Sequence, residues 1–149
     1  MNFVGQLIEL GLNDESPIIG LTEEEINEIQ IAQKVVLPTE FVKFLQQCGR
    51  SAGSYGRDVE TFYNAYKVLK EWFFEAVEEF STKMQIPSTA FFFSSYQGSQ
   101  YDYFLCNEGP DPAVYRAYPE LSRLEKIANS FSEYFSVGAW QYANSIYQK

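Results

Sequence analysis

At Pro87 the hydrophobic period of this chain changes, and that switch excludes most architectures. Upstream, from Val59 to Met84, the residues Phe62, Tyr66, Leu69, Phe73, Val77, Phe80 and Met84 recur at three- and four-residue steps. That is the period of an amphipathic helix. Downstream come three short aromatic and β-branched runs: Ala90 to Ser95, Tyr101 to Cys106 and Ala113 to Tyr118. Between them lie Gln97-Gly98-Ser99 and Asn107 to Pro112, both rich in turn formers. Strands joined by such short turns pair antiparallel, because a parallel crossover takes about a dozen residues or more. Gly98 falls where the first hairpin needs positive φ. Helices followed by strands predict an α+β domain, with N-terminal helices packed on a mainly antiparallel meander.

The strongest local signals lie between Leu21 and Gly49. Thr22 and Glu25 form a capping box, with Leu21 and Ile26 placed for a hydrophobic staple. Glu23, Glu24 and Glu25 sit on the positive end of the helix dipole. Ile26 and Ile29 share one face. Pro38 suits the first turn of a second helix, on which Phe41, Phe44, Leu45 and Cys48 make one buried stripe. Gly49 stands where a left-handed C-cap is expected.

Around this pair the pattern is plainer. Phe3 to Leu12 predicts a short helix, broken by Asn13 to Pro17. Gly49 to Asp58 reads as a flexible loop; it lacks the Gly-Lys-Ser/Thr ending of a phosphate loop, and no strand precedes it. Trp72 and Phe74 broaden the apolar face of the Val59–Met84 helix, implying more than one neighbour for it. Leu121 to Ile127 fits either a helix or a final strand. Ser130 to Phe135 predicts a C-terminal helix with Phe131 and Phe135 inward, ending near Gly138. Ala139 to Tyr147 then reads as a last turn or two carrying Trp140, Tyr142 and Ile146. No repeat, low-complexity tract or linker interrupts the chain, so residues 1–149 read as one domain.

Composition narrows the chemistry. There is no histidine, which removes Ser-His-Asp and Cys-His catalysis and every histidine-containing metal site. Cys48 and Cys106 alone cannot build a zinc site and read as small core residues, with a disulfide between them left open. Eleven basic against 20 acidic side chains give a net charge of −9, which disfavours nucleic acid and anionic membranes as direct partners. The same charge suits a basic protein partner, although solubility alone also explains it. The N-terminus MNFVGQLIELGLNDE has no signal-peptide pattern, and no run approaches the roughly 20 apolar residues of a membrane span. A cytoplasmic protein without cofactor is the expectation.

Several of these stretches together resemble the SUKH superfamily. The residues are the helix leading to Leu37-Pro38, the following helix with Phe44-Leu45 and Gly49, the aromatic strand before Gly98, and Asp102 soon after. Asp111-Pro112-Ala113-Val114-Tyr115 is similar to the family's turn into a Val-Tyr strand. Ala128-Asn129-Ser130-Phe131 through Tyr134-Phe135 is similar to its closing helix. The likeness runs roughly from Leu21 to Phe135. Two departures stand out: the long aromatic helix from Val59 to Met84, and Ser99 where an acidic residue often follows the glycine. The resemblance implies an α+β domain. In bacteria it implies an immunity protein that neutralises the toxin domain of a polymorphic or contact-dependent toxin, often a nuclease, by binding it. Other members regulate cell-wall synthesis in fungi, so a non-toxin interaction module is the alternative.

An enzyme using paired carboxylates is the third class, but no motif singles out a pair, and no catalytic residue is assigned. For partner binding, Tyr96, Gln97, Ser99, Tyr101 and Asp102 sit around the first strand turn, with Glu108 and Asp111 around the second. Tyrosines beside carboxylates have the composition of a protein-binding patch. The competing reading makes Tyr96 and Tyr101 cross-strand packing partners. The second candidate surface is the acidic side of the long helix: Glu71, Glu75, Glu78 and Glu79. Monomer and homodimer both remain open.

Overall fold

A computed structural model describes residues 1–147, with side chains through residue 145. In chain order the elements are α1 (Phe3–Glu9), β1 (Ile18–Ile19), α2 (Glu23–Gln33), α3 (Thr39–Cys48), β2 (Ser51–Ala52), α4 (Tyr63–Tyr66), α5 (Leu69–Glu79), β3 (Ala90–Tyr96), β4 (Gln100–Leu105), β5 (Val114–Tyr118), β6 (Arg123–Ala128) and α6 (Phe131–Tyr147). Strands β3-β4-β5-β6 form an antiparallel meander, and β1 pairs with β2 in a separate small sheet. The expected α+β architecture is the observed one.

The capping signals act as their chemistry requires. The Glu25 amide donates to Thr22 Oγ1 at 3.2 Å and the Thr22 amide donates to Glu25 Oε1 at 3.0 Å. Helix α2 ends at Lys34, which takes the left-handed conformation (φ 57°). The Lys70 ammonium donates to the freed Gln33 carbonyl at 2.8 Å. Pro38 is the N-cap of α3 rather than a first-turn residue. Gly49 is right-handed (φ −70°), so it is no left-handed cap. It is glycine because a Cβ there would lie 2.8 Å from the Leu45 backbone.

The sheet is covered on both faces. On one, Phe41 of α3 meets Phe91, Phe93, Phe104 and Phe131 at centroid distances of 4.9–5.9 Å. On the other, Phe73 of α5 stacks on Phe92 at 4.4 Å and meets Tyr101 edge-on at 5.4 Å. Such aromatic pairs add about 0.5–1.5 kcal/mol each beyond their area. The free edge of β3 is closed by a side chain. Gln33 Nε2 donates to the Phe92 carbonyl and Gln33 Oε1 accepts from the Phe92 amide, both at 2.8 Å. A buried amide thus stands in for a neighbouring strand.

Three further expectations are corrected and one open reading is resolved. The Val59–Met84 segment is not one helix. Glu60 and Ser95 exchange backbone bonds of 2.8 and 3.0 Å, pinning residues 59–62 to the β3 edge. Phe62 then adopts φ 79°, and helix resumes only as the short α4 and as α5, which stops at Glu79. The Gly49–Asp58 loop carries β2, whose two residues are too few to show a pattern. The Leu121–Ile127 ambiguity resolves as strand β6. Finally, α6 runs unbroken through Gly138, where a Cβ would come within 3.3 Å of the Tyr55 hydroxyl. Phe135, Ala139 and Ala143 are buried along it, while the Ile146 side chain lies outside the described residues. Cys48 and Cys106 are free thiols. Burial pushes both up, Cys106 to about 11 and Cys48 further. No described helix is long and apolar enough to cross a membrane.

Candidate functional site

Adjacent strand residues point to opposite faces, and this divides the first candidate surface. Tyr101 turns toward α5 and is 4% exposed; Asp102 turns toward the opposite helix layer and is 3% exposed. Neither is available to a partner. Tyr101 is not the cross-strand partner of Tyr96 either, since Tyr96 lies opposite Gln100 and Tyr101 opposite Ser95. Tyr96, Gln97 and Ser99 are exposed on a tight turn in which Gln97 and Gly98 both take positive φ (51° and 75°).

Glu108 is exposed in the next connection. Asp111 accepts from the Ser132 amide at 3.0 Å and so caps the first turn of α6. In a meander successive turns lie at opposite ends of the shared strand. The Tyr96 turn and the Glu108 loop are therefore separated by the length of β4, roughly 17–20 Å at about 3.3 Å per residue. The seven residues do not form one patch.

The buried member of that set anchors a polar centre. Asp102 and Arg116 are directly opposed on β4 and β5, and the pair is bidentate: Nε donates to Oδ1 at 2.7 Å and Nη2 to Oδ2 at 3.0 Å. Tyr134 of α6 donates its hydroxyl to Oδ2 at 2.7 Å. These bonds with Asp102 raise the Arg116 guanidinium above its ordinary range. Burial, then the Asp102 charge, pushes the Tyr134 phenol well up. A β-bulge between Phe92 and Ser94 brings Ser94 opposite Asp102. One face of the sheet thereby carries the row Ser94, Asp102, Arg116, Glu125 across its strands.

Over this floor lies a cavity of about 350 Å³, walled by Tyr55, Phe62, Phe93, Tyr134 and Tyr142, with Asp58 among its lining residues. Phe62 holds its wall position at a positive φ that costs on the order of 1–3 kcal/mol for a bulky residue. Periodicity could not find this site, because it depends on the bulge and on the pinned 59–62 segment. The signal present in the sequence was the Tyr-Asp-Tyr and Tyr-Arg pattern on neighbouring strands, legible only once their register is known.

The residues of the second candidate surface lie together on α5. Glu71, Glu75, Glu78 and Glu79 are all exposed on α5, and none has a side-chain hydrogen bond or ion pair among the described residues. Trp72, Phe74 and Phe80 are each 43% exposed beside them. Phe80 was expected on the buried stripe, and Trp72 and Phe74 against further neighbours. They lie outward because α5 ends at Glu79 and packs on the sheet mainly through Leu69 and Phe73. Burial raises the Tyr101 phenol, and the Glu60 and Glu75 charges add to the rise. Among the described residues no cluster of three or more metal-ligating side chains occurs.

These features define an α+β domain in which helices cover both faces of a four-stranded meander and one helix presents unpaired carboxylates interleaved with aromatic rings. The chain belongs to the SMI1 / KNR4 family (SUKH-1), whose model matches residues 20–137. The match runs from just ahead of α2 into α6, so it takes in the capping-box helix, the whole meander and the buried polar centre. No curated protein sequence matches the chain.

Proposed function

We propose that this protein is a cytoplasmic immunity protein, which binds and neutralises the toxin domain of a bacterial polymorphic or contact-dependent toxin system. Its partner is a basic protein domain, in keeping with a nuclease, and it acts by stoichiometric binding rather than by turnover. Nucleic acid and membrane are not its direct partners.

The observation that carries this reading is the α5 ridge, taken with membership of the family. Four carboxylates without partners among the described residues stand beside three half-exposed aromatic rings. Aromatic residues serve as desolvated anchors at interfaces, while surrounding charge steers encounter and rejects wrong partners. Net charge of −9 extends the attraction beyond the contact itself. Nuclease–immunity pairs are among the tightest complexes known, so binding alone is an adequate mechanism.

The test is a protection assay. The toxic C-terminal domain of the protein encoded beside this gene is expressed with and without this chain, and survivors are counted. Rescue by the wild-type chain, lost on Glu71→Lys/Glu75→Lys/Glu78→Lys/Glu79→Lys with the fold intact, supports the reading and the surface. Rescue that survives the fourfold variant moves the surface elsewhere. Absence of rescue and of any toxin-like neighbour supports the regulatory interaction module instead.

A further inference from the structure

We propose that the cavity above Asp102 is a receptor for an aliphatic cation: a guanidinium or ammonium group on a short hydrocarbon stem. Its volume of about 350 Å³ is within the range of small-ligand sites. Three observations give the ligand class.

First, the floor is already neutralised. Asp102 is matched by Arg116 and Tyr134, so that charge calls for no further ion. Second, the charge left without a partner is negative. Asp58 belongs to the lining and has no side-chain bond among the described residues, whereas neighbouring Arg57 is turned to Glu15 and Ser16. Third, Tyr55, Phe62 and Tyr142 supply aromatic wall for a hydrocarbon stem and for cation–π attraction to its charged end.

A further polar group in the lining is open to a ligand. Ser94 is only 7% exposed and lines the cavity, yet its hydroxyl makes no hydrogen bond among the described residues. That oxygen opens onto the cavity instead of being sealed from solvent (among the described residues the sealed, unpaired side-chain oxygen is Thr89 Oγ1), so it is free to accept from a ligand's donor. The bulge that turns Ser94 inward is a device recurrent beside functional sites. The inference does not depend on the α5 surface, which lies across the sheet.

Such a cation has two sources, a free small amine or the arginine or lysine side chain of another protein. Both are separated by one NMR titration of the full chain with three probes. Agmatine stands for the free cation, N-acetyl-Gly-Arg-Gly-amide for the side chain, and pentanoate for an anion of similar length. Agmatine is expected to shift the amides of Gly56, Ser94 and Gly138 saturably, and pentanoate to leave them unmoved. Asp58→Asn, a change at an exposed position, should weaken agmatine about fivefold. Phe62→Leu, with its fold checked in the same spectrum, should weaken it about threefold. Peptide binding equal to agmatine's assigns the cavity to a protein side chain; agmatine binding alone assigns it to a free amine. The proposal is overturned if pentanoate moves these amides as strongly, if Asp58→Asn leaves agmatine binding unchanged, or if agmatine shifts only α5 without saturation.

Discussion

Two groups of acidic residues lie on opposite faces of the sheet and live under opposite rules. Asp102 is enclosed between sheet and α6, and every approach to it is matched: two guanidinium N–H groups and one phenol donate to its two oxygens. The α5 glutamates stand in water with no partner. A carboxylate under cover must be paired because its desolvation is otherwise uncompensated, and once paired it is committed to the fold. A carboxylate in water contributes little to the fold and stays available to something that arrives later. Residue type alone made Asp102 and Glu75 equivalent candidates; burial separates a structural charge from a recognition charge.

The sharpest way to break the comparison is to leave the half-buried Arg116 without its counter-ion. Asp102→Ala should destabilise the protein by about 3–5 kcal/mol in urea denaturation, because the half-buried Arg116 loses its counter-ion and the Tyr134 hydroxyl loses its acceptor at once. Replacing both, as Asp102→Leu/Arg116→Met, should recover part of that loss, since a packed apolar pair removes the charge's desolvation cost along with the attraction while the Tyr134 hydroxyl stays without its acceptor. A double variant no more stable than the single one would show that the centre acts through its hydrogen-bond geometry and not through charge matching.

Tyr134→Phe probes the third member and should cost about 1.5–3 kcal/mol, the range for a hydrogen bond to a charged group. The same group has a pH signature. Tyr134 has its pKa raised in the folded state from an ordinary 10.0, and Tyr103 is raised to about 12, both chiefly by burial. Between the unfolded and folded values the folded state binds more protons, so stability falls as pH rises. Stability from these phenols is therefore complete below pH 10 and declines above it, and Cys106 adds a loss between its ordinary 9.0 and about 11. Tyr134→Phe should flatten the limb above pH 10 in denaturation curves taken at stepped pH. An unchanged limb would assign the alkaline loss to Tyr103 and the other buried phenols.

What could be read ahead of the structure follows the range of the interactions involved. The capping box at Thr22, the Phe41–Cys48 stripe and the turn at Gly98 are set by residues within seven positions of each other, and all three are present. The break at Phe62 depends on Ser95, more than thirty positions away, so periodicity carried the helix straight through it. Gly138 reads as a helix end from its neighbours and as a close-packed surface once Tyr55 lies against it. The site divided in the same way. The α5 glutamates could be placed because helix periodicity alone sets their face. The fate of Tyr101 and Asp102 depended on which layers cover the two faces of β4, and the split between Tyr96 and Glu108 on the order of turns around the meander.

The gentlest perturbation tests the other side of the comparison. Reversing Glu71, Glu75, Glu78 and Glu79 one at a time to lysine should leave stability within about 0.5 kcal/mol, as expected for exposed positions without a partner. Association with a basic partner should respond far more. Stopped-flow rates at low salt should fall in steps toward the roughly 10–10³-fold that steering can supply, and the loss should shrink as salt rises. Trp72→Ala on the same ridge should act differently, raising the dissociation rate with little salt dependence, because an aromatic anchor holds by burial and not by field. If all five variants destabilised the chain as Asp102→Ala does, α5 would be part of the fold's own electrostatic balance. If none altered association, its charge would serve solubility alone, and recognition would belong to another face.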